Sequence, residues 1–365
     1  VLEEAGFSTG LIGTINYQVG DKKADSSLTT PDSIEIYRML NEMADNGVKY
    51  CVMEVSSIAL ELKRVYGLDF KIAVFTNLTS EHLDLHKNME NYLRAKKILF
   101  DGLKKKSFAI SNRDDKYGKK IVEDTKAKKI YYSIDKKSDY KAEKIRIGID
   151  GLKFDVKTND GKTKITSGMT GRFNVSNILA VMAAANALRI DMEIMRKAIA
   201  DFKNVDGRFT RIKLPNGAYA IVDYSHTSDS LKNAIEAARD IVTEQGEGRV
   251  ITVFGCGGNR DTTKRPVMGN YATSLSDYTI ITSDNPRFED PMAIIEEVLA
   301  GVETSGNYEV EENREEAIKK AIEISKHGDL VLICGKGHET YQEIQGVKTH
   351  FDDKEMVSKY SNLAH

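Results

Sequence analysis

Short apolar runs that each end in polar or glycine-rich residues recur along this chain, with helical spacing between them, and that rhythm limits the possible folds. Residues 9–15, 50–55, 70–78, 107–111 and 130–133 read as strands. Between them, residues 31–46 carry apolar side chains at helical spacing (Ile34, Tyr37, Leu40, Met43, Ala44), and residues 89–103 are helical as well. Strands alternating with helices predict βαβ units and a mostly parallel sheet, an α/β fold.

The pattern changes near Tyr140. Asp150-Gly151 and Asp160-Gly161 flank alternating sequence such as Leu152-Lys153-Phe154-Asp155-Val156, which is hairpin chemistry and predicts a small antiparallel addition. Residues 175–188 form an apolar, alanine-rich stretch that predicts a buried helix. Past residues 205–210 a second alternation begins. Residues 218–223, 250–254, 278–282 and 330–334 read as strands, and residues 230–244, 291–303 and 314–326 as helices, a second α/β domain of doubly wound type. A chain of 365 residues exceeds what one compact domain usually holds, so the boundary is placed between domains at 1–206 and 207–365.

A net charge of −2 gives no reason to expect nucleic acid as a partner. No apolar run approaches the roughly 20 residues that span a bilayer. The start of the chain has no basic or apolar leader segment. Cys51, Cys256 and Cys334 sit in or at the end of apolar runs without paired spacing, which fits reduced thiols in a cytoplasmic protein rather than disulfides or zinc ligands.

In open α/β sheets ligands bind at the carboxyl ends of strands, and several strand ends here carry chemistry. In Met53-Glu54-Val55-Ser56-Ser57 the carboxylate suits a hard cation such as Mg2+, or else caps the next helix. Thr76-Asn77-Leu78-Thr79-Ser80-Glu81-His82-Leu83-Asp84 concentrates an amide, hydroxyls, carboxylates and a histidine in one turn, more than a cap requires. Lys96, in Tyr92-Leu93-Arg94-Ala95-Lys96-Lys97, reads by itself as a lysine on a helix surface. Gly255-Cys256-Gly257-Gly258-Asn259-Arg260-Asp261 lets a backbone approach an anion, although it is neither a phosphate loop nor a dinucleotide fingerprint. In Ser283-Asp284-Asn285-Pro286-Arg287 the guanidinium suits a carboxylate, and the Asn-Pro pair equally suits a plain tight turn. Gly335-Lys336-Gly337-His338-Glu339 ends a third strand of the same domain, so three polar loops there are expected to share one site.

Together these stretches resemble the Mur ligases, and within them the MurE type, from Gly10-Leu11-Ile12-Gly13-Thr14 to Phe351-Asp352-Asp353-Lys354-Glu355. Gly171-Arg172-Phe173-Asn174-Val175-Ser176-Asn177, Val222-Asp223-Tyr224-Ser225-His226-Thr227 and Lys264-Arg265-Pro266 add to the match. The resemblance implies a central ATPase-type domain followed by a Rossmann-like C-terminal domain. It also implies a cytoplasmic, monomeric ligase that adds meso-diaminopimelate to UDP-N-acetylmuramoyl-L-alanyl-D-glutamate, using ATP and Mg2+ through an acyl phosphate. By the same resemblance Glu54 and His82 would hold Mg2+, and Lys96 would be the carbamylated lysine that helps hold a second. Asn77, Asn174, Arg208 and His226 would contact the nucleotide, and Thr29, Thr30, Ser56 and Arg64 the UDP-sugar dipeptide. Arg260, Asp284, Asn285, Arg287, Gly335 and Glu339 would form the amino-acid pocket. In it Arg287 would clamp the distal carboxylate of diaminopimelate and Glu339 its ammonium.

The match departs at Ile58, Leu62 and Ser228, where the family usually has histidine, often glutamine, and proline. Residues 1–6 read as the end of a helix closed by glycine, and the family's phosphate loop and UDP-binding domain have no counterpart in this sequence. The chain alone is therefore expected to bind ATP poorly and not to turn over. Two other readings stand beside this one: a Mur-type ligase with another acceptor such as L-lysine, against which Arg287 speaks, and a non-catalytic paralogue, against which Glu54, His82 and Lys96 speak. A stretch at 205–208 is the expected hinge for closure of the C-terminal domain.

Overall fold

The computed structural model describes every residue except 80–82, 206, 304–306 and 362–365, and at residues 83 and 84 the backbone alone. The chain divides into two compact units. One comprises Val1–Ile145, Lys153–Ser167 and Asn174–Phe202, and the other Arg146–Leu152, Gly168–Phe173 and Lys203–His365.

The first unit opens with the hydrogen bonds of a helix C-terminus. Phe7 N–H donates to Leu2 O at 3.1 Å and Gly6 N–H to Glu3 O at 2.8 Å, with Gly6 at φ 83°. Strands β1 (Thr9–Ile12), β2 (Asn16–Val19) and β3 (Lys22–Asp25) form an antiparallel meander. Helix α1 (Ser33–Asp45), capped by Asp32, leads to β4 (Tyr50–Met53), which pairs parallel with β1 and sets Ile12 opposite Met53. The face that α1 buries is Ile36, Met39 and Met43, whereas Ile34 and Tyr37 are exposed. Helix α2 (Ser57–Glu61) follows β4 directly.

A second sheet is built from β5 (Ile72–Phe75), then past α3 (Leu83–His86) and α4 (Met89–Asp101), from β6 (Phe108–Asn112), β7 (Lys128–Ser133), β8 (Tyr140–Gly148), β9 (Gly151–Thr158) and β10 (Gly161–Ser167). Its order is β10-β9-β8-β7-β6-β5, with β5 to β8 parallel. The Asp-Gly turns join β8 to β9 and β9 to β10, as the sequence predicts. The parallel strands thus fall into two sheets rather than one. Helix α5 (Arg172–Ala187) buries Val175, Ile178, Leu179 and Met182, and α6 (Met192–Asp201) follows, capped by Asp191.

The second unit runs β11 (Thr210–Lys213), β12 (Tyr219–Asp223), α7 (Ser228–Gln245), β13 (Val250–Phe254), α8 (Lys264–Leu275), β14 (Tyr278–Ile281), α9 (Pro291–Leu299), β15 (Tyr308–Val310), α10 (Arg314–Ile324) and β16 (Leu330–Cys334). A hairpin, β17 (Tyr341–Ile344) and β18 (Val347–His350), and α11 (Asp353–Ser361) complete it. The sheet order is β11-β12-β16-β13-β14-β15, antiparallel only at β11. Every residue of β13 and of β16 is buried, as in parallel strands covered by helices on both faces. Because β16 inserts between β12 and β13, its C-terminal loop lies beside the ends of both. Segments 146–152 and 168–173 are tied to this unit by Arg211, which donates to Ile149 O and, at 2.9 Å, to Gly168 O.

Ser228 is the first residue of α7, a position that proline favours because its missing N–H costs nothing there. The helix starts without proline because Thr227 and Ser230 form a reciprocal capping box. No described helix is long and apolar enough to cross a membrane.

Candidate functional site

In the first unit a polar cluster forms where β1 and β4 end side by side. Glu54 does not cap α2. Ser56 does, accepting from Ala59 N–H at 3.2 Å. The Glu54 carboxylate turns instead to Thr14, whose hydroxyl and N–H both donate to Oε2, at 2.5 and 3.3 Å. Thr14 Oγ1 is 3.1 Å from Thr29 Oγ1. Thr30, 1% exposed, donates to Glu54 O at 2.8 Å and accepts from Ser56 N–H at 3.0 Å, while Arg64 Nη1 donates to Thr30 O at 2.8 Å. Thr29, Thr30, Glu54, Ser56 and Arg64 are therefore brought together. Thr14, which the sequence offers only as the end of a family-like stretch, ties the carboxylate to them.

Lys96 is half-buried on α4, its Nζ 5.3 Å from the centre of the Tyr92 ring. Tyr92 stacks on His86 at 4.8 Å, and His86 Nε2 lies 2.8 Å from Ser57 Oγ. This chain of contacts connects Lys96 to the start of α2, next to Ser56, so Lys96 is not a simple surface lysine. The 76–79 turn is fixed by Asn112, donating to Thr76 O, and by Asp115, accepting from Leu78 N–H, each at 2.9 Å. Asn77 itself is exposed, and His82 lies outside the described residues. Asn174 is nearly buried in the first turn of α5. Among the described residues no group of three or more His, Cys, Asp or Glu stands together as a metal site. The oxygens around Glu54, carboxylate and hydroxyl, are the donor chemistry of Mg2+.

In the second unit the loops after β13, β14 and β16 converge. Gly258 N–H donates to Asn285 O at 2.9 Å, and Arg287 Nη1 donates to Gly258 O at 2.8 Å. A side chain at Gly258 would place its Cβ 1.9 Å from Pro286 O, so this glycine serves loop-to-loop packing. Asn285 Nδ2 donates to Glu339 Oε2 at 2.9 Å. Gly335, at φ 122°, leaves room for Asp284, whose Oδ2 would be 2.2 Å from a Cβ there. The β17–β18 hairpin closes the group: Arg287 N–H donates to Glu343 O at 2.9 Å, Gln342 Nε2 to Asp284 O at 2.8 Å, and Glu343 Oε2 is 3.8 Å from Arg287 Nε. Burial and the nearby Asp284 charge push the Glu339 pKa above the ordinary carboxylate value. Arg260 is exposed in the β13 loop, outside this hydrogen-bonded group.

Arg208 and His226 meet on Tyr224. The Arg208 guanidinium lies 4.9 Å from the ring centre, and the His226 and His338 rings lie 4.6 and 5.0 Å away. Asp223 shapes the approach by accepting from Phe209 N–H at 2.8 Å and Ser225 N–H at 2.9 Å. Tyr224, His338, Lys336, Gln342 and Glu343 are residues that sequence reasoning passes over. The signal for the first three is their place at the ends of apolar strands, inside motifs already noted.

The Mur ligase middle domain model matches residues 1–185, and the Mur ligase glutamate ligase domain model matches residues 207–337. The chain is 44% identical over 361 residues to the UDP-N-acetylmuramoyl-L-alanyl-D-glutamate--2,6-diaminopimelate ligase of Clostridium botulinum, covering 98% of this chain and 73% of that protein. It is 45% identical over 354 residues to the ligase of the same name from Phocaeicola vulgatus, covering 96% and 72%. Among solved structures, a ligase of this name superposes with a TM-score of 0.70 at 31% identity, covering 99% of this chain and 74% of that one. The ADP complex of MurF ligase from Thermotoga maritima, at 17% identity, shares the fold with a TM-score of 0.70 over 100% of this chain and 76% of that one. With both its halves matched and its relatives aligned along almost its whole length, the chain belongs to the Mur ligase family, whose members are ATP-dependent ligases.

Proposed function

We propose that this chain serves the ATP-dependent joining of meso-diaminopimelate to UDP-N-acetylmuramoyl-L-alanyl-D-glutamate in peptidoglycan precursor synthesis, as a cytoplasmic monomer. The observation that carries the acceptor assignment is the cluster of Arg287, Asn285 and Glu339 at the ends of β14 and β16. An acceptor with a carboxylate and an ammonium at its far end finds a guanidinium and a carboxylate there. An acceptor lacking that carboxylate leaves Arg287 without its ligand partner, which is a strong basis for rejection.

Activation of the nucleotide-linked substrate transfers the terminal phosphoryl group of ATP to its free carboxylate. The acceptor amine then attacks the acyl phosphate carbon and phosphate leaves. Such a reaction needs placement and charge neutralisation more than covalent help. Thr29, Thr30, Ser56 and Arg64 would hold the nucleotide-sugar dipeptide, and Asn77, Asn174, Arg208 and His226 the ATP. Glu54, His82 and a carbamylated Lys96 would hold Mg2+, which supplies neutralisation of phosphate charge when bound. Thr14 orients the Glu54 carboxylate for that task. On this reading residues 1–206 serve activation and residues 207–365 the acceptor.

The test is phosphate release by the full-length protein that carries this chain, given ATP, Mg2+, the UDP-linked dipeptide and either meso-diaminopimelate or L-lysine. Release that depends on meso-diaminopimelate is the expected result. Release with lysine alone removes the acceptor assignment, and release with neither removes the proposed reaction.

A further inference from the structure

The side chain at the centre of the acceptor cluster belongs to Lys336, to which neither the family-like motif nor the proposed reaction gives a role. It is completely buried. Its ammonium donates to Asn285 Oδ1 at 3.0 Å and to Tyr341 O at 2.6 Å, with Asp284 Oδ1 at 3.9 Å. An asparagine amide has nearly the same shape in its two flipped orientations, so its neighbours decide which way it faces. Here two donors converge on one end of Asn285, because Glu343 N–H also reaches Oδ1, at 2.9 Å. The other end must then be Nδ2, and it donates to Glu339 Oε2.

We propose that Lys336 is a positioning residue for acceptor recognition, whose buried ammonium fixes the orientation of Asn285 and through it holds the Glu339 carboxylate where the acceptor's far ammonium binds. The proposal rests on the reading of Asn285, Arg287 and Glu339 as the acceptor pocket. Lys336 also sets charge. Its positive field opposes the burial and the Asp284 charge that push the Glu339 pKa up. Without it, the charge of Asp284 at Glu339 would be opposed by Arg287 with one buried cation fewer. Asn285 would keep a single donor at Oδ1, and Tyr341 O would lose its partner.

Steady-state kinetics on the full-length protein test this with Lys336→Met, Asn285→Ala, Glu339→Gln and the double variant K336M/N285A. Lys336→Met is expected to raise KM for meso-diaminopimelate about 10- to 100-fold, as loss of a hydrogen bond to a charged group does. KM for ATP and kcat at saturation should stay within about threefold of wild type, a split that general damage to the fold does not produce. The acid limb of the acceptor KM profile should move to higher pH, because Glu339 loses a cation that keeps it ionised. Well above the acid limb, where Glu339 is ionised with or without Lys336, the remaining action of Lys336 runs through Asn285, so at that pH the double variant should bind the acceptor no worse than Asn285→Ala alone.

If Lys336→Met does not fold, Lys336→Gln, which keeps a shorter donor and loses the charge, must show the same move of the acid limb. An unchanged acceptor KM in the neutral variant, or additive losses in the double variant, overturns the role of Lys336. If Glu339→Gln leaves acceptor KM unchanged, the pocket reading itself falls, and the proposal with it.

Discussion

Arg314 and Asp353 form an ion pair with no exposed surface on either side chain: Nε donates to Oδ1 at 2.8 Å and Nη2 to Oδ2 at 2.7 Å. Nη2 donates as well to Cys334 O at 3.0 Å, the last residue of β16 before Gly335. The pair therefore pins the strand end from which the candidate acceptor loop springs. It also gives a structural role to Asp353, the first residue of α11 and part of the family-like motif. Removing one partner leaves a buried charge without compensation, so Arg314→Met or Asp353→Asn should lower unfolding stability by about 3–5 kcal/mol. Replacing both by apolar residues of similar volume should recover most of that loss. Chemical denaturation of the three variants measures it, and a loss below about 1 kcal/mol in either single variant, the size seen for exposed pairs, would contradict the pinning role.

Glu54 is exposed, and Thr14 is the residue that aims it. Glu54→Gln keeps the size and removes the charge, so it should leave the thermal midpoint nearly unchanged, as surface substitutions usually do. Phosphate release by the full-length protein should nevertheless fall on the order of 100-fold, the scale of several kcal/mol of lost charge neutralisation. Thr14→Val should show a smaller loss in the same direction. Turnover of Glu54→Gln equal to wild type would remove Glu54 from the proposed metal site.

The long elements were legible because burial on both faces writes itself into sequence. Val250–Phe254 and Leu330–Cys334 are continuous apolar runs with polar ends, and they are the buried centre of their sheet. The β17–β18 hairpin was not legible, because its strands are short and largely exposed and lack alternation. Helix α8 was hidden for a different reason. It buries Arg265 completely, paired to Glu289 at 2.8 Å and Glu297 at 3.0 Å, so its inward face does not read as apolar. The strand-end loops could be read as candidates, but their convergence depends on β16 inserting between β12 and β13, a topological fact that no local pattern carries. Lys336 and Arg314 look like surface residues in sequence. Only their partners show them to be buried.

The cysteines offer a simple check of packing. Cys256 and Cys334 are buried and Cys51 is exposed. Burial pushes the Cys256 thiol up to about 12 and the Cys334 thiol well above its usual value, so neither forms thiolate near neutral pH. Partial burial holds the Cys51 thiol up as well, at about 11, so access decides: alkylation of the native chain should modify the exposed Cys51 slowly and spare the other two, while all three react in denaturant. Peptide mapping that finds Cys256 or Cys334 modified without denaturant would show that β13 and β16 end less tightly packed than described.

Glu339 gives the protein opposite pH dependences of stability and of acceptor binding. Burial, and then the charge of Asp284, raise its folded-state pKa above the unfolded value of 4.5. The protonated form is thus the one that the fold favours. Stability from this group is fully present below 4.5 and is lost as pH rises through the raised value. Glu339→Gln stays neutral at every pH, so wild type should lose stability relative to this variant across that window, and the difference should be flat above it. Acceptor binding runs the other way, because pairing with an ammonium requires the ionised carboxylate. Affinity for meso-diaminopimelate should therefore weaken as pH falls through the same window in wild type, and Glu339→Gln should bind weakly throughout with no such step. Denaturant titrations and acceptor KM, each measured across pH for both proteins, test the two halves together. Wild type losing stability relative to Glu339→Gln as pH falls would mean that the folded-state pKa is lowered, and the electrostatic account of this pocket would have to be reversed.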